Sequence, residues 1–218
     1  MPGAPIKALV AGFEPFGGEP VNPAAQALHA LPPEVAGLAV ATVQLPTVFD
    51  RCAAVLEAAI EAHDPAIVLA IGQAGGRAEL CLERVAVNID DARIADNDGH
   101  QPIDRPVVRG GPAAYFATLP IKAAVAALRE AGLPAAVSNT AGTFVCNHLF
   151  YALMHLAALR EGRFRAGFLH LPYLPSQAAR QPGAASMALA DIARGIEIVL
   201  AVAAERRRDI EAAEGTIS

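Results

Sequence analysis

Cys146 is the residue in this chain best placed to attack an electrophile. It follows Ala136-Val137-Ser138-Asn139-Thr140-Ala141-Gly142-Thr143-Phe144-Val145, which reads as a strand, a small-residue turn and the start of a helix. The thiol therefore falls in or near the first helical turn. Free N–H groups and the positive end of the helix dipole there favour a thiolate and offer donors to an oxyanion. A cysteine in that place is either a nucleophile or a small hydrophobe buried under the first turn. The other two cysteines have weaker claims. Cys52 lies on the apolar stripe of a helix, where a thiol packs like a small hydrophobe. Cys81 stands two residues from Glu83, a like charge that holds a thiol protonated.

A thiol nucleophile needs a base, and six histidines are available. His148 points roughly 200° around the helix from Cys146 and cannot face it. His155 is about two and a half turns away. His29 and His63 sit at helix ends and are expected at the surface, and His100 lies in a polar loop. His170 ends the apolar strand Ala166-Gly167-Phe168-Leu169, just before Pro172. In parallel α/β sheets sites gather at the carboxyl ends of strands, where both Cys146 and His170 are expected. Such a pair could activate the thiol and later protonate a leaving amine. A histidine ending a strand can equally be a satisfied structural residue. Glu83 could orient the imidazole. Strand periodicity carried back from Val85, Val87 and Ile89 puts it on a half-buried side, where a carboxylate must be partnered.

The elements that would position these groups alternate along the chain. Strands are expected at Ile6–Ala11, Leu38–Leu45, Ala66–Ile71, Val85–Ile89, Ala135–Ser138 and Ala166–Leu171. Helices are expected at Ala24–Leu31, Phe49–Ala62, Ile121–Ala131, Phe144–Arg160 and Met187–Arg207. The second helix carries Phe49, Cys52, Val55, Leu56, Ala59 and Ile60 at helical spacing. Asp90–Pro112, rich in Asp, Gly and Pro, reads as a long functional loop. The βα alternation predicts one α/β domain over residues 1–218, a mostly parallel sheet with helices on both faces, and a frayed tail from about residue 209.

Two motif-like stretches fail on inspection. Gly12-Phe13-Glu14-Pro15-Phe16-Gly17 begins like a phosphate-binding loop, but Gly18 and Glu19 stand where Lys and Ser or Thr are needed. Asp96-Asn97-Asp98-Gly99 matches part of a calcium loop, whose register would put Ile94 and Arg105 at the first and twelfth ligand positions. No metal is expected. The formal charge of −5 and pI of about 5.7 speak against nucleic acid or an anionic membrane as partner. Three cysteines make no disulfide framework. The first residues lack a basic segment followed by an apolar one, and no apolar run is long enough to span a bilayer. A reducing cytoplasm is the expected setting.

Four blocks of the sequence, in order, resemble the pyroglutamyl peptidase I family. They are Gly12–Gly18 with Asn22-Pro23, Gly72–Arg77 through Glu83–Asn88, Ser138–Asn147, and His170-Leu171-Pro172-Tyr173-Leu174-Pro175. Together they span about Ile6 to Arg206. The resemblance implies a cysteine peptidase removing N-terminal pyroglutamate from peptides, with Cys146 as nucleophile, His170 as base and Glu83 as orienting carboxylate. It also implies a three-layer α/β/α sandwich with a mixed, mostly parallel twisted sheet, no cofactor, and a homotetramer. By the same resemblance Phe13 and Phe16 flank the lactam ring, and Gln73, Phe144 and Val145 line the pocket. Asn22 belongs with the substrate-binding residues, and Arg93 helps polarise the carbonyl. One departure is local: Cys81-Leu82 stands where the family has Thr or Ser followed by Pro. A thiol hydrolase acting on another small lactam, and an inactive binding protein on a nucleoside-phosphorylase-like scaffold, are the competing readings. A substrate panel and thiol alkylation separate them.

Overall fold

The computed structural model describes residues 6–215. Nine strands and six helices are formed among them: β1 (Lys7–Phe13), α1 (Pro23–Ala30), β2 (Glu34–Val35), β3 (Leu38–Leu45), α2 (Arg51–His63), β4 (Ile67–Gln73), β5 (Leu80–Glu83), β6 (Val85–Val87), β7 (Ala114–Phe116), α3 (Ile121–Glu130), β8 (Ala135–Ser138), α4 (Val145–Leu159), β9 (Arg165–Leu171), α5 (Pro175–Ala178) and α6 (Leu189–Glu205). Seven strands form one sheet in the order β2-β3-β1-β4-β9-β5-β8, and β6 and β7 form a separate ribbon.

Alternation along the strands makes the three layers. On β1, Ala8 and Val10 face one apolar cluster with α1, α3 and α6, whereas Leu9 and Ala11 face another with α2 and α4. On β4, Ile67, Leu69 and Ile71 join the first cluster, and Val68 and Ala70 the second. Both faces being apolar, these strands read as continuous hydrophobic runs, as strands covered on both sides do. The result is the expected α/β/α sandwich.

The sheet is mixed in a way that decides where the site lies. Strands β3, β1, β4 and β9 run parallel, but β5 pairs antiparallel with β9, and β8 runs parallel to β5. The chain thus reaches Cys146 from a strand opposed to the one that carries His170. The expectation that both lie at the carboxyl ends of parallel strands is therefore corrected, since β8 opposes β9.

Other expectations need amending. The strand expected at Val85–Ile89 stops at Val87, and Ala86, not Val85 or Val87, is its buried residue. The chain breaks at Arg84, so Glu83 belongs to β5 in the main sheet and does not share a face with Val85 and Val87. Neither β5 nor the short β2, β7 and α5 has a periodic signal of its own. On α2, Cys52, Leu56, Ala59 and Ile60 are buried, but Val55 lies on the flank and is exposed. Helix α1 starts one residue early, with Pro23 in its first turn and Asn22 as N-cap.

Residues 209–214, expected to fray, are instead tied down. The Asp209 carboxylate accepts from the N–H groups of Lys122 and Ala123 at 3.0 and 2.9 Å, capping α3, whose own N-cap, Pro120, has no side-chain acceptor. Glu214 meets Arg129 through its carboxylate and Arg84 through its carbonyl. A lost cap costs about 1 kcal/mol, so Asp209→Ala should lower the thermal midpoint by about 2–4 °C. An unchanged midpoint in scanning calorimetry would mean that the tail does not cap the helix in solution.

Candidate active site

Three strands deliver the chemistry to one face of the sheet. Gly72 on β4 pairs with His170 on β9, and Cys81 on β5 pairs with His170 from the other side. Because side chains alternate, Gly72, Cys81, Glu83, Phe168 and His170 all look toward α2 and α4. The sheet register thus places Glu83 beside His170: its Oε1 lies 2.7 Å from His170 Nδ1. Glu83 is wholly buried and His170 nearly so. The carboxylate can only accept, so Nδ1 carries the proton and Nε2 is left as the free base. The Phe168 ring, 4.8 Å from the imidazole, supports it from the same strand.

Cys146 arrives from the helix side, in the first turn of α4. A Cβ built on Gly72 would stand 3.0 Å from Cys146 Sγ and 2.9 Å from the Phe168 ring. The thiol therefore hangs over Gly72, which has no side chain to present on this face and pairs with His170. Phe144, the N-cap, gives α4 no side-chain acceptor. The first-turn N–H groups of Val145 and Cys146 have no carbonyl one turn earlier to meet, so they are available to an oxyanion.

The turn before Cys146 is locked. Ser138 Oγ donates to the Thr140 carbonyl, Thr140 Oγ1 accepts from Gly142 N–H, and Gly142 adopts φ +76°, a region that favours glycine. Thr143 bonds Asp91 through both its hydroxyl and its carbonyl. Asn147 ties α4 to the ribbon through Val87 and Ile89.

Burial acts on both the thiol and the imidazole. It pushes the Cys146 thiol up to about 12, with the Glu83 charge acting in the same direction and the Arg77 guanidinium against it. It also holds His170 below its ordinary value, opposed by Glu83. Both shifts favour the uncharged forms, a thiol and a neutral imidazole. Cys52 is buried and pushed far up, and Cys81 is raised by burial.

Other groups singled out in the sequence fall into place around this centre. Phe144 meets Phe16 at 6.0 Å and, edge-on, Phe49 at 5.4 Å. Phe13 is buried in the cluster behind them, and Val145 is fully buried. A hollow of about 330 Å³ beside the turn that leads to Cys146 is lined by Asp91, Arg93, Ile94, Gly142, Thr143 and Phe144. Gln73 ends β4, its side-chain carbonyl held by Gln177 at 2.8 Å. Asn22 uses its side chain internally, accepting from Ala24 N–H and donating to the Glu14 carbonyl.

The sequence reading missed two features. Arg77 donates to Glu83 Oε1 at 2.8 Å and to the Thr140 carbonyl at 3.0 Å. His148, turned away from Cys146 as expected, belongs to a second buried group. Its Nδ1 faces Asp90 at 3.0 Å, and its Nε2 accepts from Asp50 N–H. Arg105 bridges Asp90 and Asp50. Asp90 and Asp96 are buried, so the loop is anchored rather than merely solvated. The sign of it in the sequence was the number of aspartates packed into one stretch without a matching number of cations.

The sequence profile of the pyroglutamyl peptidase family matches residues 6–206. The pyrrolidone-carboxylate peptidase of Streptococcus suis is 54% identical over 202 residues, 93% of this chain and 94% of that one. Pyrrolidone-carboxylate peptidase 1 of Ralstonia nicotianae is 54% identical over 210 residues, 96% and 98% of the two chains. The crystal structure of pyroglutamyl peptidase I from Bacillus amyloliquefaciens superposes with a TM-score of 0.93 at 44% identity, covering 96% of this chain and 100% of that one.

The crowding at Gly72 yields a sharp expectation. Gly72→Ala should lower kcat/KM by about 10²-fold, the cost of displacing a reacting group by about an ångström, while the thermal midpoint moves only a few degrees. Full activity would contradict the placement of Sγ. Because the thiol is raised to about 12, inactivation of the free protein by iodoacetamide should keep accelerating from pH 7 to pH 10. A rate already flat above pH 6 would reveal a preformed thiolate.

Proposed function

The chain belongs to the pyroglutamyl peptidase family, cysteine peptidases that remove N-terminal pyroglutamate from peptides, and from that premise we propose that Cys146 is its nucleophile, His170 its general base and acid, and Glu83 the carboxylate that orients His170. The observation that carries this reading is the 2.7 Å Glu83–His170 contact on a buried sheet face, with Cys146 Sγ suspended over Gly72 beside it.

In the first step Nε2 of His170 takes the thiol proton as Sγ attacks the pyroglutamyl carbonyl. The tetrahedral oxyanion is met by the first-turn N–H groups of α4. The imidazolium then gives its proton to the leaving amine as the C–N bond breaks, and a thioester remains. Water, deprotonated by the same imidazole, hydrolyses the thioester and frees pyroglutamate and the thiol. No metal or cofactor enters these steps.

Pyroglutamate is a neutral lactam with one N–H and one ring carbonyl. The aromatic wall of Phe16 and Phe144, with Phe13 and Val145 packed behind it, suits such a ring. Gln73, its amide oriented by Gln177, answers the lactam's polar groups, and Arg93 at the mouth polarises the carbonyl. Asn22 acts on the pocket through the loop that it fixes to Glu14. The exposed side chains of Phe116 and Ile103 are the kind of apolar surface that assembly into a homotetramer would cover. The three unpaired cysteines suit a reducing cytoplasm.

Pyroglutamyl and prolyl amides of one fluorophore, compared at pH 7.5, test the reading. Proline brings a charged ring amine, costly to desolvate between aromatic rings, and lacks the ring carbonyl. Rejection of an analogue lacking such a hydrogen bond reaches roughly 10⁴–10⁵ in kcat/KM. Cys146→Ser should lose at least ~10³ in kcat, while Cys52→Ser keeps most activity. Prolyl turnover within tenfold of pyroglutamyl, or substantial turnover by Cys146→Ser, would reject the assignment.

A further inference from the structure

Glu83 is addressed unevenly. His170 Nδ1 and Arg77 Nη1 both point at the same oxygen, Oε1, at 2.7 and 2.8 Å. The other oxygen, Oε2, is buried and meets no hydrogen-bond partner among the described residues. A cation that sought only to neutralise the carboxylate could use either oxygen. Here the guanidinium shares the oxygen that holds the imidazole, and so draws charge away from that hydrogen bond.

The position of Arg77 is itself fixed. It closes the turn after β4, with its N–H donating to the Ala74 carbonyl. Gly76 supplies the left-handed step at φ +88°. A Cβ on Gly75 would come within 2.1 Å of the Tyr173 hydroxyl, so only glycine lets that ring brace the turn. The second guanidinium nitrogen reaches the Thr140 carbonyl, in the loop that leads to Cys146. One side chain therefore joins the carboxylate to the nucleophile's turn.

We propose that Arg77 is a positioning residue for the reaction: held between Glu83 Oε1 and the Thr140 carbonyl, it keeps Glu83 from fixing His170 as an imidazolium, and so keeps the base free to accept the Cys146 proton. The inference rests on the proposed roles of these three residues. The groups facing His170 are Glu83 and Cys81 on β5, Cys146 on α4, Phe168 on its own strand, and Arg77 from the turn. Only Glu83 attracts the protonated imidazole, and only Arg77 repels it. The direction agrees with the physical causes acting on His170, in which Glu83 raises its affinity for a proton and Arg77 lowers it. Arg77 also lowers the Cys81 thiol's hold on its proton, against the burial that raises it, so the residue that replaces the family's Thr or Ser feels the same guanidinium.

Removing the cation leaves Glu83 facing the imidazole alone, so His170 holds its proton to higher pH. The acid limb of kcat/KM, which reports loss of the neutral base, then moves up. A neighbouring charge shifts such a group by about 1–3 units, and Arg77, with its side chain 29% exposed, belongs at the low end. The experiment is the pH profile of a fluorogenic pyroglutamyl amide from pH 5 to 9 for the wild type, Arg77→Met and Arg77→Lys, with thermal midpoints in parallel. The acid limb should rise by about one unit in Arg77→Met and return to the wild-type position in Arg77→Lys, with KM little changed. A limb that stays in place while the midpoint and kcat fall would reduce Arg77 to a structural tether and overturn the proposal. Should Arg77→Met not fold, Arg77→Gln reads the same limb. If the wild type releases no fluorophore, the proposed function fails instead. The imidazole titration of His170, followed by NMR in the same variants, still reads the effect of Arg77.

Discussion

The buried carboxylate of Glu83 is the constraint on which the site is built. A charged group taken wholly out of water costs several kcal/mol unless paired and hydrogen-bonded, and Glu83 has no exposed surface at all. His170 and Arg77 supply the partners. Both depend on the reversal of strand direction between β9 and β5, because an antiparallel β5 sets Cys81 opposite His170 and Glu83 one alternation further along the same face. The direction of one short strand thus decides whether the imidazole has an orienting partner.

The proposed nucleophile is held by a different device. Cys146 sits on α4, and α4 is tied to the rest of the site through residues that follow the thiol. Asn147 bonds the ribbon, and His148 joins Asp90, Asp50 and Arg105. Asp50 itself is strained, at φ 60° and ψ −46°, with Arg51 N–H donating to the Phe49 carbonyl at 2.6 Å. Such a tight turn costs about 1–3 kcal/mol and persists only where its surroundings enforce it. Here the His148 ring accepts the Asp50 N–H, and Phe49 packs edge-on against both His148 and Phe144. The strain keeps an aromatic ring against the residue that begins α4.

These two frameworks share a low-dielectric interior, and that explains the resting state of the pair. Burial disfavours both the thiolate and the imidazolium, so in the proposed reaction charge separates only as a substrate carbonyl receives it. The oxyanion of that reaction would lie at the helix N-terminus, where backbone N–H groups already point. A neutral pair also limits idle oxidation, since the thiolate is the reactive form.

From residue types and spacing alone came the alternation of strands and helices, the layered architecture, the choice of Cys146 over Cys52 and Cys81, and the exclusion of His148 as its base. These follow from local rules: helical and strand periodicity, turn chemistry and the angle between residues on one helix. The resemblance of four ordered blocks to a known family supplied the expected activity. Tertiary structure alone decided the rest. Strand β5 is buried on both faces, so its apolar run carries no period and Glu83 could not be placed by counting from Val85. The reversal of β5, the shared Oε1 of Glu83, the approach of Cys146 and Phe168 over Gly72, the anchoring of Asp90 by His148 and the cap lent to α3 by Asp209 all join residues far apart in sequence. Their pairing depends on register and strand direction. Those are fixed by the packing of whole layers against each other, an energy that no single segment contains.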